Sequence, residues 1–145
     1  MNTELTSGAP EQAEGIKLVA EQFGLDLVVL FGSRSGGRLA PRTDSDVDIA
    51  VLGCRREEFL ACLDALAALF AHANVDLVRL EDADPLFRHE VLSMGQLVHG
   101  DPDRFAELRA RAYREYVDSA DLRALEAKLF ERRMARLRGT RHAPP

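Results

Sequence analysis

Apolar residues recur along the chain with two spacings, which predict helices alternating with strands. A helical spacing gives a first helix that Gly24 ends, with a buried face at Ile16, Val19, Ala20 and Phe23. Short, almost continuous apolar runs predict strands at residues 25–31, 46–52 and 75–80, and a short edge strand at 96–100. Helical patterns fill the intervals at residues 55–72, 84–94 and 101–138. This alternation predicts an α/β (α+β) fold, with a small mixed sheet, flanking helices and a long C-terminal helix.

Smaller signals refine the helices. Asp84 followed by Pro85 is typical of a helix start, and Gly95 of a helix end. A break in the last helix is predicted at Asp118-Ser119. The helix at 55–72 is expected to bury Phe59, Cys62, Leu63, Leu66, Leu69 and Phe70.

These patterns predict a single domain. Residues 1–14 are interpreted as a flexible leader, 15–100 as the core, 101–138 as a helical extension of the same domain, and 139–145 as a flexible tail. A chain of 145 residues can bury roughly two-thirds of the surface that its unfolded form exposes. We therefore expect a core that needs neither disulfides nor a structural metal.

Net charge changes sign along the chain. It is −5 overall, but residues 1–100 hold 8 Lys or Arg against 16 Asp or Glu (−8), whereas 101–145 hold 11 against 8 (+3). The overall acidity and the mixing of acids with bases in the tail disfavour direct nucleic-acid binding and favour a protein partner. No apolar run approaches a membrane span, and Cys54 and Cys62 lack metal-site or disulfide spacing, so a cytoplasmic protein is predicted.

Asp46 and Asp48 are the first candidates for chemistry. Residues two apart on a strand point to the same face, so these carboxylates are expected to lie side by side and repel each other unless a cation neutralises them. Oxygen ligands of this kind suit Mg²⁺ or Mn²⁺. The alternative is that Asp46 caps a loop and Asp48 is a solvated strand residue.

Two further features complete the candidate site. Gly32 and Ser33 follow the first strand, where backbone N–H groups and a hydroxyl can hold phosphate, although such a pair is usually only a turn. Asp76 interrupts the third strand and is a candidate third carboxylate, or else an acid at a sheet edge. The intervening loop carries three arginines that suit a polyphosphate or are ordinary solvated charges: Arg34, Arg38 and Arg42.

The stretch FGSRSGGRLAPRTDSDVDIAVL followed by VDLVRL resembles the signature of the DNA polymerase beta nucleotidyltransferase superfamily. More narrowly, the chain from about residue 15 to residue 137 resembles the minimal nucleotidyltransferase antitoxins encoded beside HEPN-domain RNase toxins. The resemblance implies that Gly32 and Ser33 hold the triphosphate of ATP. It also implies that Asp46, Asp48 and Asp76 bind Mg²⁺ or Mn²⁺, and that Asp76 helps to deprotonate the acceptor.

Two departures concern the loop. Ser35-Gly36-Gly37 stands where family members often have Ala-Arg-Gly, so the usual arginine is missing unless Arg38 replaces it. Twelve residues separate Ser33 from Asp46, which is longer than is typical of these antitoxins. Because extra loop residues cost little, these departures bear on nucleotide affinity and rate rather than on the fold.

The function implied by the resemblance is transfer of AMP from ATP to a tyrosine of a cognate HEPN toxin. One alternative is an antitoxin that neutralises its toxin by binding alone. Another is a small-molecule nucleotidyltransferase, disfavoured because the sequence has little room for an acceptor-binding domain and no evident acceptor pocket. Recognition of the toxin is assigned partly to the basic helical extension at about residues 101–138, where the charge changes sign and which offers an apolar strip at Phe105, Leu108, Ala112 and Tyr116.

Overall fold

The computed structural model describes residues 10–32, 46–70 and 74–140. Its helices are α1 (Pro10–Phe23), α2 (Phe59–Ala67), α3 (Pro85–Met94), α4 (Pro102–Asp118) and α5 (Ala120–Thr140). Its strands are β1 (Leu27–Phe31), β2 (Val47–Leu52), β3 (Val75–Arg79) and β4 (Gln96–His99). Short 3₁₀ turns precede α2 and follow β3. The predicted mixed sheet with flanking helices and a long C-terminal helical region is confirmed.

Within the described residues the strands form one sheet in the order β3, β2, β1, β4. β1 is antiparallel to both β2 and β4, whereas β2 and β3 run parallel and are joined by the crossover that contains α2. β4 lies at one edge, as its sequence predicts, and β3 lies at the other. The start of β2, the start of β3 and the end of β1 therefore meet at one end of the sheet.

Both faces of the sheet are covered, which explains why the central strands are almost continuously apolar. One face packs on α1 and α2 around a core that includes Ile16, Ile49 and Leu66. The other face packs on α3 and α4 around Val29 and Leu92. The six residues predicted to be covered here are three buried and three partly buried: Cys62, Leu66 and Phe70, and then Phe59, Leu63 and Leu69. The helix predicted at residues 55–72 is shorter than expected, since α2 ends at Ala67 and Leu69 and Phe70 follow it.

Element boundaries differ modestly from the prediction. α1 begins at Pro10, ahead of the predicted core boundary, and the Gln12 side chain donates a hydrogen bond to the Leu69 backbone carbonyl. This contact extends the helix into the sequence interpreted as a leader. Asp84 caps α3 by accepting from the Phe87 backbone N–H, as predicted.

The two C-terminal helices meet at Ser119, which confirms the predicted break. The strip on α4 that was assigned to toxin binding is, however, the packing face of α4 inside this chain. Phe105 and Ala112 are buried in the core, and the ring of Tyr116 stacks on His89 of α3. That assignment was wrong, because an amphipathic pattern predicts an apolar face without identifying what covers it.

The apolar residues of α5, by contrast, lie at the surface. No helix in the described part of the chain is long and apolar enough to cross a membrane.

Candidate active site

The strand arrangement brings the predicted acids to one end of the sheet. Asp48 of β2 is in direct register with Phe31 of β1 and with Asp76 of β3. Residues in register on neighbouring strands project to the same face, about 4.8 Å apart along the hydrogen-bonding direction. Asp46 immediately precedes β2 and Gly32 immediately follows β1. We refer to Asp46, Asp48 and Asp76 as the carboxylate cluster.

Asp48 is the innermost member of this cluster. Its side chain is half-buried, whereas Asp46 and Asp76 are exposed. Burial raises the pKa of the Asp48 carboxyl above its usual value, and the charges of Asp76 and then Asp46 raise it further. Both neighbouring acids are therefore close enough to act on Asp48, and the ionised cluster is electrostatically unfavourable by itself.

Gly32 turns the chain directly against the Asp48 carboxylate. Its φ is +78°, in the left-handed region that glycine favours, and a Cβ at this position would overlap Asp48 Oδ2. The backbone conformation therefore favours glycine, and any larger residue would also have to displace the Asp48 side chain. The turn therefore lies directly beside the innermost acid of the cluster.

The chemistry of the cluster fits a hard divalent cation, because its donors are carboxylate oxygens and their mutual repulsion is relieved by positive charge. The side chains, as they lie, do not form a ready-made ligand set: no group of three or more His, Cys, Asp or Glu among residues 10–32, 46–70 and 74–140 is arranged to hold a metal ion. The strand register nevertheless places Asp48 and Asp76 on the same face, and the charges of Asp76 and Asp46 raise the pKa of Asp48, so positive charge at this place would relieve their repulsion.

The remaining predicted site residues lie outside the described residues. These are Ser33 of the Gly-Ser turn and the loop arginines Arg34, Arg38 and Arg42. Their roles in phosphate binding stay predictions. Of the residues predicted for the site, the structure brings together Gly32, Asp46, Asp48 and Asp76.

A cavity of about 550 Å³ opens beside β3, and the sequence patterns do not predict it. Val78, Phe59 of α2 and Phe87 of α3 line it, together with the ion pair of Arg56 and Asp82. Val78 follows Asp76 by two positions on one strand, so it lies on the same face about 7 Å further along. The sequence does not predict this cavity, because its walls come from chain segments whose proximity no local pattern reveals.

Several solved structures with the same fold are toxin–antitoxin complexes. A complex with AMP-PNP has a TM-score of 0.66 at 23% identity, over 81% of this chain and 98% of that chain. A complex of the tri-AMPylated Shewanella oneidensis HEPN toxin with MNT antitoxin has a TM-score of 0.64 at 22% identity, over 83% and 97%. At these identities the likeness shows a shared fold. No curated protein sequence matches the chain.

The family model described as "Polymerase beta, Nucleotidyltransferase" matches residues 14–104. The match extends from α1 to the start of α4 and includes all four strands and the carboxylate cluster. It therefore spans more than half of the chain. On this evidence the chain belongs to the polymerase beta nucleotidyltransferase family.

Proposed function

We propose that this protein is an antitoxin that transfers AMP from ATP to a tyrosine hydroxyl of a cognate HEPN-family RNase toxin. The observation that carries the proposal is the register of Asp48 with Asp76, beside a glycine turn that approaches the Asp48 carboxylate so closely that a Cβ would overlap it. Support also comes from the likeness to complexes that contain AMP-PNP in one case and a tri-AMPylated toxin in another.

In the proposed reaction, the tyrosine oxygen attacks the α-phosphorus of ATP. A new oxygen–phosphorus bond forms, the bond between the α-phosphorus and the bridging oxygen breaks, and pyrophosphate leaves. Asp76 accepts the hydroxyl proton, and Gly32 with Ser33 holds the triphosphate. Asp46, Asp48 and Asp76 would hold two Mg²⁺ or Mn²⁺ ions, which when bound supply positive charge at the attacking and leaving oxygens. The chain's own contribution is positioning and electrostatics, without a covalent enzyme intermediate.

The direct experiment is to express the cognate toxin with this protein and to measure the intact and tryptic masses of the toxin. We expect added AMP on a tyrosine with the wild type, and none with Asp48→Ala. The matched control is Asp64→Ala, which removes an exposed acid on α2 away from the sheet end and should leave the modification unchanged. An unmodified toxin that is neutralised equally well by wild type and Asp48→Ala would establish the antitoxin that acts by binding alone.

A small-molecule acceptor is the second candidate, because the cavity beside β3 falls in the size range of ordinary ligand sites. The same cavity has room for the aromatic ring of a tyrosine. Pyrophosphate release should distinguish the two, since a small-molecule enzyme would turn over hydroxyl-bearing compounds without toxin. We expect turnover only when the toxin is present.

A further inference from the structure

α5 is the helix least covered by the rest of the molecule. Its 21 residues make it about 31 Å long, and among the described elements its substantial contact is with α4. Each of five large apolar side chains is more than half exposed: Leu122, Leu125, Leu129, Phe130 and Leu137. A long row of exposed apolar residues on a helix is typical of an interaction surface.

The junction with α4 holds α5 in a defined direction. Arg123 donates hydrogen bonds to the Tyr116 carbonyl and to the Ser119 hydroxyl, and its guanidinium lies 4.0 Å from the centre of the Tyr116 ring. Tyr116 is itself stacked on His89. The helix is therefore anchored at its start, while its remaining length projects its side chains outward.

The apolar positions of α5 read the same in both directions. With Met134 included and the alanines left aside, successive large apolar residues are separated by 3, 4, 1, 4 and 3 positions, and the midpoint falls between Leu129 and Phe130. At about 100° per residue, these six side chains occupy roughly one half of the helix circumference. We call this surface the apolar half of α5. A sequence that is symmetric about its midpoint presents the same surface to an identical helix running in the opposite direction.

The two charges nearest the centre line of this surface are related by the same midpoint and have opposite signs, whereas Arg123 and Arg136, a symmetric pair nearer its borders, have like charges. Glu126 and Arg133 lie near the centre line of the apolar half, at equal distances on either side of the midpoint. In the described part of the chain neither forms an ion pair. In an antiparallel pair of α5 helices Glu126 meets Arg133 of the other copy twice, whereas a parallel pair would place like charges together.

We propose that α5 is a self-association surface, on which two copies of this chain pair through antiparallel α5 helices. Apolar contacts cover the exposed leucines and Phe130, and two Glu126–Arg133 ion pairs set the antiparallel direction. The family match ends before α5, at residue 104, so this surface goes beyond the nucleotidyltransferase function and does not depend on it. A single helix pair is smaller than a standard interface, so the dimer should dissociate in the micromolar range.

Sedimentation velocity of the full chain over a range of concentrations, without nucleotide or toxin, tests the proposal. The wild type should shift from monomer to dimer as concentration rises, and Leu129→Glu should remain monomeric. The matched control is Ala124→Glu, which adds the same charge to an exposed position on the opposite side of α5 and should dimerise like the wild type. Circular dichroism checks that the variants keep their helical content.

A charge exchange tests the partner and its direction. Glu126→Arg and Arg133→Glu should each raise the dimer dissociation constant roughly tenfold or more, because two symmetric ion pairs become repulsive contacts. The double exchange Glu126→Arg with Arg133→Glu should restore dimerisation. A chain that stays monomeric at all concentrations, or a dimer that the single exchanges leave unchanged, overturns the proposal. The proposal is also overturned if the wild type is monomeric and Leu129→Glu abolishes toxin binding. That result would identify α5 as a toxin-docking helix.

Discussion

The carboxylate cluster and the apolar half of α5 depart in opposite ways from the usual distribution of side chains in a folded protein. At the cluster, the charged Asp48 is half-buried beside two more acids. On α5, leucines and a phenylalanine lie in contact with water. Both arrangements are unfavourable for the isolated chain, one through repulsion and desolvation and the other through exposed apolar area.

The difference between the two regions concerns what relieves the unfavourable energy. Bound positive charge would reduce the repulsion among the carboxylates of the cluster. These carboxylates should therefore matter for ligand binding and turnover, and should not stabilise the free protein. A second apolar surface would cover the exposed side chains of α5. These side chains should therefore matter for association and contribute little to the stability of the folded monomer. Substitutions in the two regions should therefore separate ligand-dependent effects from effects on association and folding.

The largest effect is expected for Asp76→Asn. The variant should bind ATP nearly as well as the wild type, but its kcat should fall at least about 100-fold, since it loses a proton acceptor and a metal ligand worth several kcal/mol and each 1.4 kcal/mol is about tenfold in rate. Pyrophosphate release with the toxin gives kcat, and calorimetry gives ATP affinity. Asp64→Asn makes the same change on the exposed side of α2 and should behave as wild type. Full turnover by Asp76→Asn would remove this residue from the site.

Gly32→Ala should weaken both folding and ATP binding. At φ +78° any side chain is strained by about 1–2 kcal/mol, and here the Cβ also displaces the Asp48 carboxylate. Gly24→Ala is the matched control, because Gly24 has a similar φ of +67° with nothing near its Cβ position. We expect similar backbone strain in both variants but loss of ATP binding only in Gly32→Ala. Equal ATP affinity in the two variants would make the Gly32 turn purely structural.

A third comparison contrasts α4 with α5. Phe105→Ala should lower the free energy of unfolding by about 3 kcal/mol, because Phe105 is buried against the sheet. Leu129→Ala should change it by less than about 0.5 kcal/mol in the monomer, since the side chain is exposed. Urea unfolding at a concentration below dimer formation measures both. A large loss with Leu129→Ala would mean that α5 packs within its own chain.

The smallest effect is expected for Asp48→Asn in the absence of divalent cations. Because the folded pKa of Asp48 is raised, its protonated form favours folding at low pH and this contribution is lost as pH rises through the folded pKa. The amide should therefore raise Tm at neutral pH, by no more than about 3 °C because water screens a half-buried group. The gain in Tm should vanish below pH 3.8, the ordinary pKa of an aspartate carboxyl. Mg²⁺ should raise the Tm of the wild type more than that of Asp48→Asn.

The sequence predicts the helices and strands well, because the spacing of apolar residues indicates directly which side of each element is covered. The apolar runs of β1 and β2, the Asp84 cap and the break at Ser119 are all local features. The face of α4 was misassigned because its partner, α3, is determined by the tertiary fold. The cavity beside β3 escaped prediction for the same reason.

The site itself was predictable in part. The pairing of Asp48 with Asp76 depends on β2 and β3 being neighbours in register, which the sequence supports only through the family resemblance. The close approach of Gly32 to Asp48 depends on the antiparallel pairing of β1 with β2, which no local spacing reveals. The roles of Ser33 and Arg38 in phosphate binding stay predictions.

The register of β2 with β3 also determines where the gene can tolerate insertions and deletions. Side chains alternate along a strand, so deleting Val75 would carry the acid of Asp76 to the opposite face, among the core residues that pack on α1 and α2. The crossover from Gly53 to Asn74 has no such restriction at its surface turns, where added residues leave the strand pairing intact. Length variation among functional descendants of this chain should therefore accumulate in the crossover and the tail, while β2 and β3 keep their lengths.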